Sequence, residues 1–192
     1  MLKQRINFKR ERRELVKVLG IIGSPRRENT YKLVEAVVKA VAQKKNVETE
    51  LVHLADFDIK HCSGCSDFCE KTGECKIQDD MQKLYSKLKE ADVLLIGTPT
   101  YYWNVTGLVK NFIDRTNPLY HTESLKGKIG AAVAVAEENG QELTLSAISS
   151  FFELQNMKQM GGIAIVRGEE PVGEAELKMA KTLGETIASK LI

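Results

Sequence analysis

Residues 16–30 read VKVLGIIGSPRRENT, a branched apolar run that stops at a glycine and opens into a polar loop. Apart from Lys17, the segment Val16 to Ile22 is apolar at every position, as expected of a strand buried on both faces. Asn29-Thr30 can cap a helix over 31–44, in which Leu33, Val34, Val37, Val38 and Val41 fall on one stripe. A buried strand that turns through Gly23 into an amphipathic helix is the opening unit of a helix-covered parallel sheet.

The same alternation continues outward. VETELVHL (47–54) alternates like an edge-type strand, and a helix is predicted from Asp79 to Glu90. DVLLIGT (92–98) is a second buried run, stopped by Pro99, and a helix over 106–115 follows. KIGAAVAVA (128–136) is a fourth strand, 141–157 a helix, 162–166 a short fifth strand and 173–190 a closing helix. Five strands with intervening helices predict an α/β, doubly wound parallel sheet over residues 16–192 as a single domain. In such sheets ligands bind beyond the carboxyl ends of the strands, which nominates loops 23–30, 98–104 and 136–141.

Composition sets the outer limits. The chain has 192 residues, 28% charged and 43% hydrophobic, in the ordinary range for a globular protein with one core. No apolar run approaches the ~20 residues that span a bilayer. Residues 1–14 carry six basic side chains against two acidic, with no apolar signal segment, so residues 1–15 read as a basic arm and the expected location is cytoplasmic. Beyond the arm the chain is slightly acidic, which disfavours a nucleic-acid-binding body.

Loop 23–30 offers Ser24, Asn29 and Thr30 beside the opening N–H groups of a helix, with Pro25 and Arg26 between, a combination suited to a phosphate. It has neither the dinucleotide fingerprint nor the Walker pattern. Loop 98–104 concentrates Tyr101, Tyr102 and Trp103 behind Pro99 and Thr100, with Asn104 next, a suitable wall for a flat ring system. Glu137 and Gly140 in the third loop supply a closing side. A phosphate end, a ring slot and a closing side together match FMN.

All four cysteines, Cys62, Cys65, Cys69 and Cys75, lie in one loop, 60–77, spaced C-x2-C-x3-C-x5-C. Disulfides there would close small loops in a chain large enough to fold without them. Four thiolates in so short a run can converge on one metal centre. Structural zinc sites more often pair C-x2-C knuckles across a long excursion, and compact runs are typical of [4Fe–4S] clusters, although x3 departs from the common bacterial spacing. Iron–sulfur, zinc and metal-free redox thiols all stay open on spacing alone, and a flavin neighbour favours iron. His61 and His121 read as loop residues and His53 as a residue on one face of a strand. None pairs with a Ser and Asp in a hydrolase pattern.

GSPRRENT, PTYYWNVTG followed by KNFIDR, and ENGQE after the fourth strand resemble the NADPH-dependent FMN reductase family of flavodoxin-like proteins. The cysteine run followed by Asp79-Asp80-Met81 is similar to that family's iron–sulfur flavoprotein branch. The resemblance implies strand order 2-1-3-4-5, one FMN, one [4Fe–4S] cluster ligated by Cys62, Cys65, Cys69 and Cys75, and a homodimer or dimer-based tetramer. It implies phosphate contacts at Ser24, Arg26, Asn29 and Thr30, and ring contacts across Pro99 to Asn104. The expected activity is an electron relay between a ferredoxin-like or NAD(P)H donor and a small-molecule or protein acceptor. The alternatives are an NAD(P)H-dependent FMN or quinone reductase with zinc or no metal in the loop, and a metal- or redox-responsive nucleic-acid-binding protein.

Overall fold

The computed structural model describes residues 15–168 and 170–191. Apart from Leu15, the basic arm lies outside the described residues. Strands β1 (Val16–Ile22), β2 (Val47–His53), β3 (Val93–Pro99), β4 (Ile129–Ala136) and β5 (Lys158–Val166) form one parallel sheet in the order β2-β1-β3-β4-β5. The parallel sheet expected from the strand–helix alternation is observed, in the flavodoxin-like order that the family resemblance implies.

Strand alternation divides the interior into two cores. Val18 and Ile22 of β1, with Val93, Leu95, Val133 and Ile163, face helices α1 (Asn29–Val41) and α7 (Glu174–Lys190). Leu19 and Ile21, with Leu94 and Ile96, face helices α3 (Met81–Glu90), α4 (Gly107–Arg115) and α6 (Gln141–Leu154). Both faces of the central strands are thus dry, which explains their unbroken apolar sequences.

Several boundaries differ from the sequence expectation. Helix α6 ends at Leu154 rather than running to Met157, because Asn156 takes a left-handed conformation at φ 54° that stops the helix. Strand β5 begins at Lys158, ahead of the expected Gly162; the register slips beside Gly130 and the Gly161-Gly162 pair obscures the apolar pattern. Two short helices were not anticipated, α2 (Ser66–Thr72) inside the cysteine loop and α5 (Asn117–His121), where Asn-Pro reads as a turn but Pro118 suits a first helical turn.

Candidate functional site

The carboxyl ends of β1, β3 and β4 open onto a cleft of about 320 Å³. It is lined by Ser24, Arg26, Glu28, Asn29, Thr30, Pro99, Thr100, Tyr101, Val135, Ala136, Glu137 and Gly168. The fold therefore gathers Ser24, Arg26, Asn29, Thr30, Pro99, Thr100, Tyr101 and Glu137 into one place, as expected. Pro25, Tyr102, Trp103, Asn104 and Gly140 lie off this lining. Glu28, Val135, Ala136 and Gly168 are additions; the valine and alanine read as strand interior, and Gly168 carries no signal until β5 is placed.

The first loop is held from below by backbone. The Gly23 N–H donates to the Gly97 carbonyl at 2.7 Å, and the Gly23 carbonyl accepts from Thr106 Oγ1 at 2.7 Å. A Cβ on Gly23 would stand 1.9 Å from Val109 Cγ2, so only glycine lets α4 approach this closely. Thr106 also caps α4, accepting from the Val109 N–H. Ser24 is buried, and its Oγ accepts from the Arg26 N–H at 3.1 Å, a local turn that shapes the loop. No side chain caps the start of α1, whose first-turn N–H groups border the cleft and suit an anion.

Asn29 has another task as well. Its Nδ2 donates to the Glu170 carbonyl at 2.8 Å and its Oδ1 accepts from the Val172 N–H at 2.9 Å, tying α1 to the segment before α7. These two bonds fix the amide's orientation and leave its second Nδ2 hydrogen and its backbone for a ligand. Arg26 Nε stands 3.2 Å from Glu28 Oε2 on the exposed rim. At the other end of the cleft the Thr100 hydroxyl is buried with no hydrogen-bond partner among the described residues. An uncapped helix start at one end of the cleft and a buried orphan hydroxyl at the other, with Pro99 and Tyr101 for a wall, fit a phosphorylated ligand with a polar-edged ring.

The aromatic run forms a tight turn. Tyr101 and Asn104 exchange backbone hydrogen bonds at 2.9 and 3.0 Å, and Tyr102 and Trp103 between them adopt φ of 49° and 59°. Two left-handed central residues match a type I′ turn, where Asn-Gly is the favoured sequence. Bulky aromatics in those positions store strain. Trp103 offsets it by donating from Nε1 to Asn139 Oδ1 at 2.5 Å and lying over Gly140, where a Cβ would come within 2.2 Å of the ring. Gly140 also has φ 85°, so the position excludes a side chain twice over. Tyr102 projects wholly into solvent.

The cysteine loop lies on different ground. Cys62, Cys65 and Cys69 line a second cavity of about 500 Å³ with residues of α4, α5 and α6, including Asp114, Asn117, Tyr120 and Phe151. The two linings share no residue. The x3 interval gains a physical reason here. Cys65 is the N-cap of α2 and Cys69 is its central residue, so the i, i+4 spacing sets both thiols along one side of a helical turn. Cys75 sits behind them, buried near Tyr85 and Arg115. All four cysteines are free thiols. Among the described residues, no three His, Cys, Asp or Glu side chains stand already gathered around a point that could hold a metal ion.

The electrostatics nevertheless link the four. Burial pushes the Cys69 thiol up, a hydrogen bond from Asn117 counters it, and charge on Cys65, Cys75 or Cys62 would push it further. The Ser63 hydroxyl, 3.5 Å from Cys65 Sγ, holds that thiol below its ordinary value, with Lys76 adding to the effect. Sulfurs close enough to Cys69 to oppose its ionisation, with Lys76 favouring the Cys65 thiolate, are a soft donor set of the kind a thiophilic metal takes.

Beneath the loop an ion pair joins the KNFIDR segment to the Asp79-Asp80-Met81 segment, a pairing that neither stretch shows by itself. Arg115 is fully buried and grips Asp79 with both nitrogens, at 2.5 and 3.0 Å, while donating to the Lys60 carbonyl at 2.7 Å. Asp79 in turn accepts from the Lys60 and Met81 N–H groups. Burial opposes ionisation of Asp79, but the Arg115 fork and these N–H donors outweigh it and hold the carboxyl below the usual carboxylate range. Both ends of loop 60–77 are thereby fastened to the end of α4.

Residues 16–170 match the NADPH-dependent FMN reductase family, and the chain belongs to it. It is an FMN-dependent oxidoreductase with a flavodoxin-like fold. An iron-sulfur flavoprotein of Methanocaldococcus jannaschii is 36% identical over 187 residues, covering 90% of this chain and 96% of that protein. An iron-sulfur flavoprotein of Archaeoglobus fulgidus is 35% identical over 178 residues, covering 90% and 79% respectively. Among solved structures, RosB with a bound 8-demethyl-8-formylriboflavin-5'-phosphate superposes with a TM-score of 0.72 at 16% identity, over 91% of this chain and 79% of that one. These similarities are consistent with the iron–sulfur flavoprotein branch. No helix among the described residues is long and apolar enough to cross a membrane.

Proposed function

We propose that the chain is an iron–sulfur flavoprotein that relays electrons from a ferredoxin-like or NAD(P)H donor to a small-molecule or protein acceptor. FMN when bound exchanges two electrons with a donor and can release them singly, and a [4Fe–4S] cluster carries one at a time. The start of α1, Ser24 and Arg26 would take the phosphate, and Pro99, Thr100, Tyr101 and Glu137 would border the ring. Cys62, Cys65, Cys69 and Cys75 would hold the cluster, with Ser63 and Lys76 favouring the thiolate of Cys65. The observation that carries this reading is the second cavity: three thiols of a single run face it and the fourth lies within electrostatic reach. The names of the relatives at 35–36% identity support it.

Because the two linings share no residue, a second copy of the chain would serve to bring one chain's thiols near the other's cleft. That is the role assigned to a homodimer or dimer-based tetramer. The test is anaerobic purification followed by assay of iron, sulfide, zinc and FMN. One FMN with about four irons per chain is the expected result. One zinc per chain with no iron would sink the relay.

The separateness of the cleft also supports a second reading, a two-electron NAD(P)H-dependent FMN or quinone reductase with zinc or no metal in the loop. Undiminished NAD(P)H turnover in a C62S/C65S variant would favour it.

A further inference from the structure

A histidine stands behind the anion-binding loop. β1 and β2 pair with Ile22 opposite His53, so the ring at the end of β2 emerges beside the turn through Gly23 and Ser24. His53 Nε2 lies 2.7 Å from the Ser24 carbonyl oxygen, and Nδ1 lies 3.4 Å from Asp56 Oδ1. The Ser24 carbonyl can only accept, so Nε2 carries the hydrogen of the shorter contact.

Its surroundings are closed. His53 is 6% exposed, and the Tyr31 ring of α1 meets it edge-on with centroids 6.2 Å apart. The titratable and charged groups facing it are Asp56 and Tyr31, with Arg27 behind them. Arg27 pairs with Asp56 at 2.5 Å and lies over the Tyr31 ring at 5.5 Å. His53 is not on the cleft lining. The Ser24 carbonyl it engages is therefore drawn away from the space an anion would fill. The next residue, Pro25, has no N–H to offer in exchange, so a carbonyl turned inward would only repel phosphate.

We propose that His53 is a positioning residue for phosphate recognition. Its Nε2–H holds the Ser24 carbonyl back from the cleft. This rests on the FMN reading above. Loss of that donor frees the carbonyl oxygen to turn toward the phosphate, which weakens FMN but not a flavin without a phosphate.

The test uses the full-length chain freed of flavin, titrated with FMN and separately with riboflavin, following flavin fluorescence. His53→Ala is expected to weaken FMN binding about tenfold and to leave riboflavin binding unchanged. His53→Gln, whose amide N–H can still reach the Ser24 carbonyl, is expected to recover most of the affinity. Equal weakening toward FMN and riboflavin would reduce His53 to a structural role and overturn the proposal, as would the absence of any recovery in His53→Gln. If His53→Ala does not fold, His53→Leu, which fills the space without a donor, takes its place in the same comparison. Failure of the wild type to bind FMN overturns the FMN reading, and the proposal with it.

Discussion

The cleft and the cysteine loop sit on one sheet scaffold but are held by different means. The cleft is shaped chiefly by backbone: Gly23 donates to Gly97, Thr106 reaches the Gly23 carbonyl, and the first turn of α1 is left uncapped. The cysteine loop is fastened by side chains, above all by the buried Arg115 fork on Asp79. A site set at strand ends is steadied by the sheet, because the turns that shape it start directly from the hydrogen-bonded ladder. A loop anchored by one ion pair can be disturbed at a single residue. Changes to Asp79 or Arg115 should therefore be felt in the cysteine loop and in global stability, whereas changes at Gly23 or Thr106 should be felt in flavin binding.

The sharpest way to break that contrast is Asp79→Asn. It leaves the Arg115 charge buried without its counterion and is expected to cost about 3–5 kcal/mol in urea unfolding, while the folded fraction retains FMN affinity. Loss of flavin binding in proportion to stability would show that the two regions are one unit. The pH dependence has a defined sign. The Asp79 carboxyl is held below its unfolded value, so its contribution is present above about pH 4 and is lost as pH falls through the folded value. Acid unfolding of the wild type should show this slope, and Asp79→Asn should show less of it.

On the cleft side, Gly140→Ala must accommodate both φ 85° and the Trp103 ring, and about 1–3 kcal/mol of destabilisation is expected, with altered tryptophan fluorescence reporting a displaced Trp103. Thr106→Val removes the α4 cap and the link to Gly23 together, with an expected loss of about 1–2 kcal/mol in stability and weaker FMN binding in a fluorescence titration. The smallest effect is reserved for the cysteine loop. Ser63→Ala withdraws the hydroxyl that favours the Cys65 thiolate, so alkylation of Cys65 near neutral pH in metal-free protein should slow by about two- to threefold. No change in rate would detach Ser63 from the chemistry of the run.

Much of this arrangement is legible along the chain. The apolar runs at 16–22 and 92–98 specify central strands because a residue buried on both faces cannot be polar. Gly23 marks a turn, and Pro99 closes a strand. Three loops follow from the rule that strand ends bind ligands, and eight of the thirteen residues expected at the cofactor line the cleft. Tertiary contacts decide what the side chains themselves do. Tyr102 and Trp103 look like ring-binding aromatics by composition, but a turn with two left-handed residues aims one into solvent and the other onto Gly140. Asn29 looks like a phosphate ligand, but its amide is engaged by Glu170 and Val172, more than 140 residues away in the chain.

By itself, then, the sequence determined the alternation of strand and helix, the loops at the strand ends and the presence of four clustered thiols. These are properties of local periodicity and composition, written in consecutive residues. Only the tertiary structure decided which side chains meet. His53 reaches Ser24 because β1 and β2 are in register, Arg115 finds Asp79 because α4 packs over the end of the cysteine loop, and the x3 interval between Cys65 and Cys69 becomes one turn of α2. Contacts across 29 or 36 residues leave no periodic trace, since each partner alone is an ordinary polar residue until packing removes water from between them.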